Sequence, residues 1–333
     1  MTSGRGPLAI SLGDPAGIGP EIVAKAYAAL KADGPPFMVV GDHDLLTAQS
    51  RGSAVRRVST PEEAATTFRD ALPILDLPLQ APVVAGHPSS EHATRVIEWI
   101  ETAVALALTG RCSGVVTCPV SKAHLYAGGF AFPGHTEYVA ELARDGEASA
   151  PIMLLASPLL KVALATIHLP LSESAAALTQ AGVYHAVKTT AEALRTDFGV
   201  DLPRIAVAGL NPHAGEGGAL GGEEIEIINP ACARLRAEGY EVTDAQSADT
   251  LFHEEARARY DAAVCMYHDQ ALIPLKTLDF WGGVNVTLGL PLVRTSPDHG
   301  TGFGIAGRGL ARADSLIAAI RLAAEIAGRR AAA

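Results

Sequence analysis

The chain is 333 residues long, 48% hydrophobic and 19% charged, enough apolar material for two cores at roughly 150 residues per domain and too few charges for long disordered stretches. A formal net charge of −10 argues against a nucleic-acid binder, which needs a basic face to neutralise phosphates, so an anionic ligand has to be met by a few local cations. No apolar stretch reaches the roughly eighteen residues of a membrane span, and MTSGRGPLAISLGDP at the N-terminus carries no secretion signal, so a soluble, cytoplasmic protein is expected.

Along the chain, short β-rich apolar runs at 8–12, 37–40, 114–117, 162–167, 205–210, 262–267 and 284–288 alternate with alanine- and leucine-rich segments. The spacing predicts helices over 20–32, 90–109, 172–198 and 223–238, and a surface helix from Asp314 onward. Strands separated by helices of this length predict an α/β fold with mostly parallel sheets flanked by helices, and near-continuous apolar strands suit a sheet buried on both faces. Pro20 stands where a first helical turn tolerates its missing N–H. Gly128-Gly129 and Pro133-Gly134 bracket an irregular segment that reads as a crossing between domains. The expected division is residues 1–127 plus 276–333 as a first domain and 128–275 as a second. Cys112, Cys118, Cys232 and Cys265 form no CxxC pair and are read as reduced thiols.

Three of the eleven histidines share a placement. His168 follows VALATI, His213 follows IAVAGL after Asn211 and Pro212, and His268 follows AAVCMY, each just beyond the carboxyl end of a predicted buried strand. Ligands of α/β sheets gather at that end, and three imidazoles there can hold a divalent cation with positions left open. Any one of them alone would read as a hydrogen-bonded loop residue. His43, His87, His92, His124, His185 and His253 are expected to be surface or capping residues. Asp249, in SADTLF, and Asp269, beside His268, are read as groups that orient a ligand histidine, as ligands, as bases or as simple turn residues.

The loop GDPAGIGPEI, residues 13–22, follows the first strand and opens the first helix. It matches neither the dinucleotide fingerprint nor the P-loop, because Ile22 stands where a third glycine would and no Gly-Lys-Ser/Thr follows. Toward the C-terminus, RTSPDHGTGFGIAGRG, residues 294–309, describes a loop able to wrap an adenine and ribose. His299, Gly300, Thr301 and Gly302 are its candidate cofactor contacts. Arg294, Lys276 and Arg308 are candidates to meet phosphate or carboxylate, and PGHTEY, residues 133–138, is a further anion-binding turn.

These blocks carry a family resemblance. SLGDPAGIGPEI, TCPVSKA, PGHTEY, TIHLPL, GLNPHAGEGG, SADTLF, MYHDQALIPLK and VNVTLGLPLVRTSPDHGTG occur in the order seen in 4-hydroxythreonine-4-phosphate dehydrogenases, and the likeness covers essentially the whole chain. GDPAGIGPE and HGTGFGIAG also resemble the wider isocitrate and isopropylmalate dehydrogenase fold, which binds its nucleotide without a GxGxxG turn. The resemblance implies two α/β domains, the first with the nucleotide-binding loop and the second with metal and dimer contacts. It places the active site in the interdomain cleft at a homodimer interface, with one metal ligand supplied by the partner chain. It puts the metal ligands on His168, His213 and His268 and the substrate contacts on His135, Thr136, Lys276, Asn285 and Arg294. The implied cofactors are NAD or NADP and one divalent cation per site (zinc, cobalt, magnesium or manganese). Gly304 stands where the family often has an acidic residue, which leaves the choice between NAD and NADP open.

The implied reaction oxidises a small phosphorylated hydroxy amino acid, 4-phosphohydroxy-L-threonine, in pyridoxal 5′-phosphate biosynthesis, with Lys276 or Asp249 as the base. Relatives acting on 4-phospho-D-erythronate or on a dihydrodiol of terephthalate offer other substrates. A metal-dependent hydrolase would use the same three histidines, but it has no reason to build the HGTGFGIAG loop. An acyltransferase would need no metal, and a non-catalytic binding module would lack an open metal position.

Overall fold

The computed structural model describes residues 6–50, 52–132, 134–143 and 150–332, with the side chain of His135 outside that description. Its strands are β1 (Leu8–Ser11), β2 (Phe37–Gly41), β3 (Val55–Arg57), β4 (Leu72–Asp76), β5 (Val115–Thr117) and β6 (Ile152–Ala156). There follow β7 (Lys161–Leu164), β8 (Arg204–Ala208), β9 (Glu241–Gln246), β10 (Ala262–Cys265), β11 (Val284–Leu288) and β12 (Arg294–Pro297). Helices α1 (Gly19–Leu30), α2 (His43–Gln49), α3 (Pro61–Thr67), α4 (Ala93–Leu108), α5 (Lys122–Ala127) and α6 (His135–Leu142) precede the sixth strand. After it come α7 (Leu171–Ala177), α8 (Gln180–Thr196), α9 (Asn229–Ala237), α10 (Glu254–Arg257), α11 (His268–Leu278) and α12 (Asp314–Arg330).

Contacts divide the chain into two compact units, Met1–Pro151 with Leu290–Gly328 and Ile152–Gly289 with Arg329–Ala333. The first unit holds an all-parallel sheet in the order β3-β4-β2-β1-β5-β12. Every residue of β1, β2, β5 and β12 is buried, as a doubly covered parallel sheet requires. Tyr27, Phe37 and Phe68 pack edge to face in its core, with ring centroids 4.8–6.4 Å apart. The chain leaves β1 toward β2 on one side, while β5 lies on its other side. That reversal makes the β1/β5 junction a topological switch point, where open α/β sheets bind ligands.

The second unit is mixed. Its order is β11-β6-β7-β10-β8-β9, antiparallel across β11-β6-β7 and parallel across β7-β10-β8-β9. Leu155, Val162, Leu164, Ala206, Cys265 and Leu275 form its core.

All seven predicted strands are present. The helix predicted over 172–198 is two helices, because Leu178 is extended and the Thr179 hydroxyl caps α8 by accepting the Gly182 N–H at 3.0 Å. The segment predicted as helix over 223–238 opens with a π-turn at Glu224–Ile228 before α9 begins. Among the described residues no helix is long and apolar enough to cross a membrane.

Candidate functional site

The parallel half of the second unit delivers one candidate residue from the carboxyl end of each strand. His168 follows β7, His268 follows β10, His213 follows β8 and Asp249 follows β9, so they line one sheet edge in the order of their strands. The order explains the pairing. The rings of His168 and His268 have centroids 6.0 Å apart. His213 stands close enough to Asp249 for its charge to help hold that carboxyl below the usual carboxylate range, an effect led by the Ser247 hydroxyl at 2.5 Å. Among the described residues no three of His, Cys, Asp or Glu gather into a group able to hold a metal.

Two features suit imidazoles that serve as ligands. His268 opens α11 and its Nδ1–H donates to Asp269 Oδ1 at 2.7 Å. With Nδ1 so engaged, Nε2 is the nitrogen that a cation could take, as in carboxylate–histidine–metal pairs. His168 and His213 both have left-handed backbone, with φ of 49° and 53°, a conformation non-glycine residues seldom adopt and one that clusters at functional sites. His213 begins a run of five left-handed residues through Gly217, anchored by the buried Glu224, which accepts the Asn211 backbone N–H at 2.8 Å. Gln270 ties the loops together: Oε1 accepts the Met266 N–H and Nε2 donates to Gly209 O, both at 2.7 Å. It was not anticipated from sequence, because its partners lie in two different loops.

Two further predicted residues belong to this unit. Lys276 lies in the last turn of α11, half-buried, with Nζ 5.3 Å from the Phe280 ring centroid. Asn285, on β11, presents a buried Oδ1 that has no hydrogen-bond partner among the described residues, so it can accept a bond from a ligand.

In the first unit, three loops meet at the switch point. Asp14 follows β1 and its N–H donates to Pro119 O at 2.9 Å, in the loop after β5. Gly13 permits this contact, since at φ 80° any Cβ would stand 2.6 Å from that carbonyl. The loop after β12 closes over both: Ile18 N–H donates to Thr301 O at 2.9 Å. His299 Nδ1 lies 3.1 Å from Gly300 O, and its Nε2 is buried without a partner among the described residues. Gly302, in the left-handed region, turns the chain into Phe303–Ile305. The four candidate cofactor contacts thus lie on one loop, packed on the glycine loop after β1.

Two histidines read as surface or capping residues lie near Asp14, and the burial of His92 corrects the expectation for that one. His92 is 4% exposed, with Nδ1 lacking a partner among the described residues. His124 lies 2.6 Å from Ser121 Oγ, its ring against Phe303. Both influence Asp14, whose carboxyl is pushed up by burial and drawn partly back by the Ala16 N–H and these imidazoles. Polar neighbours in sequence gave no hint of burial, because the covering groups come from distant loops. The strand order, which sets the switch point, is the signal that could have found them.

Arg294, the first residue of β12, is buried, donating from Nη1 to Thr136 Oγ1 at 3.2 Å and from Nη2 to Thr117 Oγ1 at 2.8 Å. Burial lowers its pKa to about 10, with the Glu137 carboxylate opposing that shift, so it remains a cation near neutrality. Thr136 is in the first turn of α6, which His135 opens.

Known proteins resemble this chain over nearly all of it. The family model described as pyridoxal phosphate biosynthetic protein PdxA matches residues 34–323. A 4-hydroxythreonine-4-phosphate dehydrogenase of Caulobacter vibrioides is 61% identical over 327 residues, covering 97% of this chain and 98% of that protein. The crystal structure of 4-hydroxythreonine-4-phosphate dehydrogenase from Klebsiella pneumoniae is 39% identical, with a TM-score of 0.86 over 97% of this chain and 100% of that one. A terephthalate 1,2-cis-dihydrodiol dehydrogenase structure from Burkholderia xenovorans is 31% identical, with a TM-score of 0.66 over 97% of this chain and 98% of its own. By the family model and by identity across its full span, this chain belongs to the PdxA family of pyridoxal phosphate biosynthetic proteins.

Proposed function

We propose that this chain oxidises 4-phosphohydroxy-L-threonine with NAD or NADP to 2-amino-3-oxo-4-phosphooxybutanoate, a β-keto acid that loses carbon dioxide to give 3-amino-2-oxopropyl phosphate. The observation that carries the reading is the delivery of His168, His268, His213 and Asp249 to one sheet edge by four adjacent parallel strands. Kinship with proteins named for this activity supports the substrate.

His168, His213 and His268 are assigned the divalent cation, in a homodimer whose partner completes the set. When bound, the cation supplies Lewis acidity that eases ionisation of the substrate's secondary hydroxyl. His299, Gly300, Thr301 and Gly302 would hold the nicotinamide cofactor, which would supply the acceptor for the hydride on the carbon bearing that hydroxyl. Asp269 holds the His268 ring through Nδ1, and Gln270 fixes the loops on either side of it. Lys276 is assigned the hydroxyl proton, a role it fills only as the neutral amine and not as the cation that stacks on Phe280. Asp249 is the poorer base of the two candidates, since the Ser247 hydroxyl holds its carboxyl low, and it acts as the charge partner of His213. Arg294, Thr136, His135 and Asn285 bind the phosphate and carboxylate, the guanidinium already oriented by two threonine hydroxyls.

The test is NADH or NADPH formation by purified, metal-loaded protein with 4-phosphohydroxy-L-threonine, beside 4-phospho-D-erythronate and a terephthalate dihydrodiol. Turnover of the threonine phosphate at least about a hundredfold faster than the others, in kcat/KM, is expected. Faster turnover of either competitor would move the protein to that relative's chemistry while keeping its metal and cofactor.

A further inference from the structure

TCPVSKA contains a lysine that the assignments above leave unused. Lys122 is the first residue of α5, just after the loop that follows β5. A cation is disfavoured at the positive end of a helix. The cap does not offset this, because Ser121 makes no side-chain capping bond and its hydroxyl faces His124 Nδ1 at 2.6 Å. Lys122 is half-buried, and among the described residues it makes no ion pair. Its position therefore is not explained by local stability.

The neighbourhood gives the reason. Gly134, the N-cap of α6, leaves room for both groups: a Cβ built there would run into Glu137 Oε2 and stand 3.1 Å from Lys122 Nζ. Lys122 and Glu137 thus flank the start of α6, and Glu137 is the carboxylate whose charge reaches the buried guanidinium of Arg294. Thr136, which accepts from Arg294, sits between these groups in sequence. Lys122, at Gly134, and Arg294, through Thr136, both reach the first turn of α6, with the Glu137 carboxylate beside them. An anion there would meet two cations, and the first-turn amides of α6 add to the attraction.

We propose that Lys122 is a second cation for the substrate phosphate, beside Arg294 and Thr136. The inference rests on the proposed substrate being phosphorylated. Arg294 supplies a rigid fork held by two threonines, whereas Lys122 supplies a mobile point charge that adapts to the phosphate oxygens. A dianionic group is better matched by two cations than by Arg294 alone, whose charge the Glu137 carboxylate already partly balances.

The experiment compares wild type with Lys122→Ala, Lys122→Gln and Lys122→Arg, using full-length metal-loaded protein. Initial rates with 4-phosphohydroxy-L-threonine are measured beside inhibition by inorganic phosphate, and phosphate binding is measured separately by titration calorimetry. The Ala and Gln variants should raise KM and the inhibition constant of phosphate by about 10- to 50-fold while kcat stays within about threefold. Arginine should recover most of the KM, and wild-type KM should rise with ionic strength more steeply than that of the Ala variant. A merely structural lysine would alter melting temperature without this split. Unchanged KM and phosphate affinity in folded Ala or Gln protein would overturn the proposal, as would a loss confined to kcat. If wild type fails to turn over the threonine phosphate, the functional reading falls, and the calorimetry still decides: equal phosphate affinity in wild type and variants, or binding by neither, sinks the role of Lys122.

Discussion

At the scale of single residues, the candidate metal edge depends on groups that hold the imidazoles as much as on the imidazoles. Asp269 accepts from His268 Nδ1 at 2.7 Å, and outer-shell partners of this kind typically contribute about 10- to 100-fold in metal affinity. Asp269→Asn should therefore weaken binding of zinc or cobalt by that factor, read by competition with a chelator of known affinity. Unchanged affinity would mean that His268 is oriented by other contacts or is not a ligand. Arg294 makes a complementary case. Lysine in its place has no fork with which to reach both Thr117 and Thr136, so Arg294→Lys should raise KM for a phosphorylated substrate by about tenfold or more. An unaltered KM would remove Arg294 from the binding set. The shared placement of His168, His213 and His268 was legible in the sequence because all three follow apolar runs, a pattern that needs no knowledge of partners. Asp14, His92 and Gln270 were not, since what distinguishes them is burial by, or bonds to, loops far away along the chain.

At the scale of elements, the turn Pro212–Gly218 stores strain beside a candidate ligand. Its left-handed residues include His213, Ala214 and Glu216, each costing about 1–2 kcal/mol in that conformation. The buried Glu224 and the glycines compensate. Gly215, at φ 79°, would place a Cβ 2.6 Å from Glu224 Oε2 and 3.0 Å from Gly221 O, whereas Gly217, at φ 63°, would meet nothing within 4 Å. Gly217→Ala should thus cost about 1 kcal/mol, from backbone strain alone. Gly215→Ala should cost about 3 kcal/mol or more, because steric conflict adds to strain. Urea denaturation of the two variants separates these contributions, and equal losses would mean that the Glu224 anchor can yield. The same scale shows where reading by pattern stops. The buried apolar strands announce themselves, but β12 is RTSP, four buried residues with polar side chains. It passes for a loop until Arg294 is seen bonded to Thr117 and Thr136, and Thr295 Oγ1 to Ala319 O at 2.9 Å. The π-turn at Glu224–Ile228 is equally silent, since its residues would suit an ordinary helix.

At the scale of the whole molecule, the question is how many chains make a working site. The second unit leaves large apolar side chains in solvent: Leu171, Ile225, Ile273, Phe280 and Trp281 are each between 49% and 70% exposed. Scattered singly, such residues need no explanation, but Phe280 and Trp281 pack edge to face at 4.9 Å just past α11, and Ile273 lies on that helix. Exposed aromatic pairs beside aliphatic residues are typical anchors of protein interfaces. The family resemblance implies a homodimer whose partner supplies one metal ligand, and these exposed side chains offer a surface on which a second copy could dock. Sedimentation of the purified protein should then give twice the 34.4 kDa mass of the chain. Replacing Ile273 and Trp281 together by aspartate should produce a monomer, since two charges buried at an interface cost several kcal/mol each. Because neither residue is a candidate ligand or base, a monomeric variant that still folds should bind metal weakly and lose turnover, and crowding it to high concentration should restore part of both. A wild-type monomer with full activity would end the idea of a shared site, and would require His168, His213 and His268 of one chain to converge on a single ion.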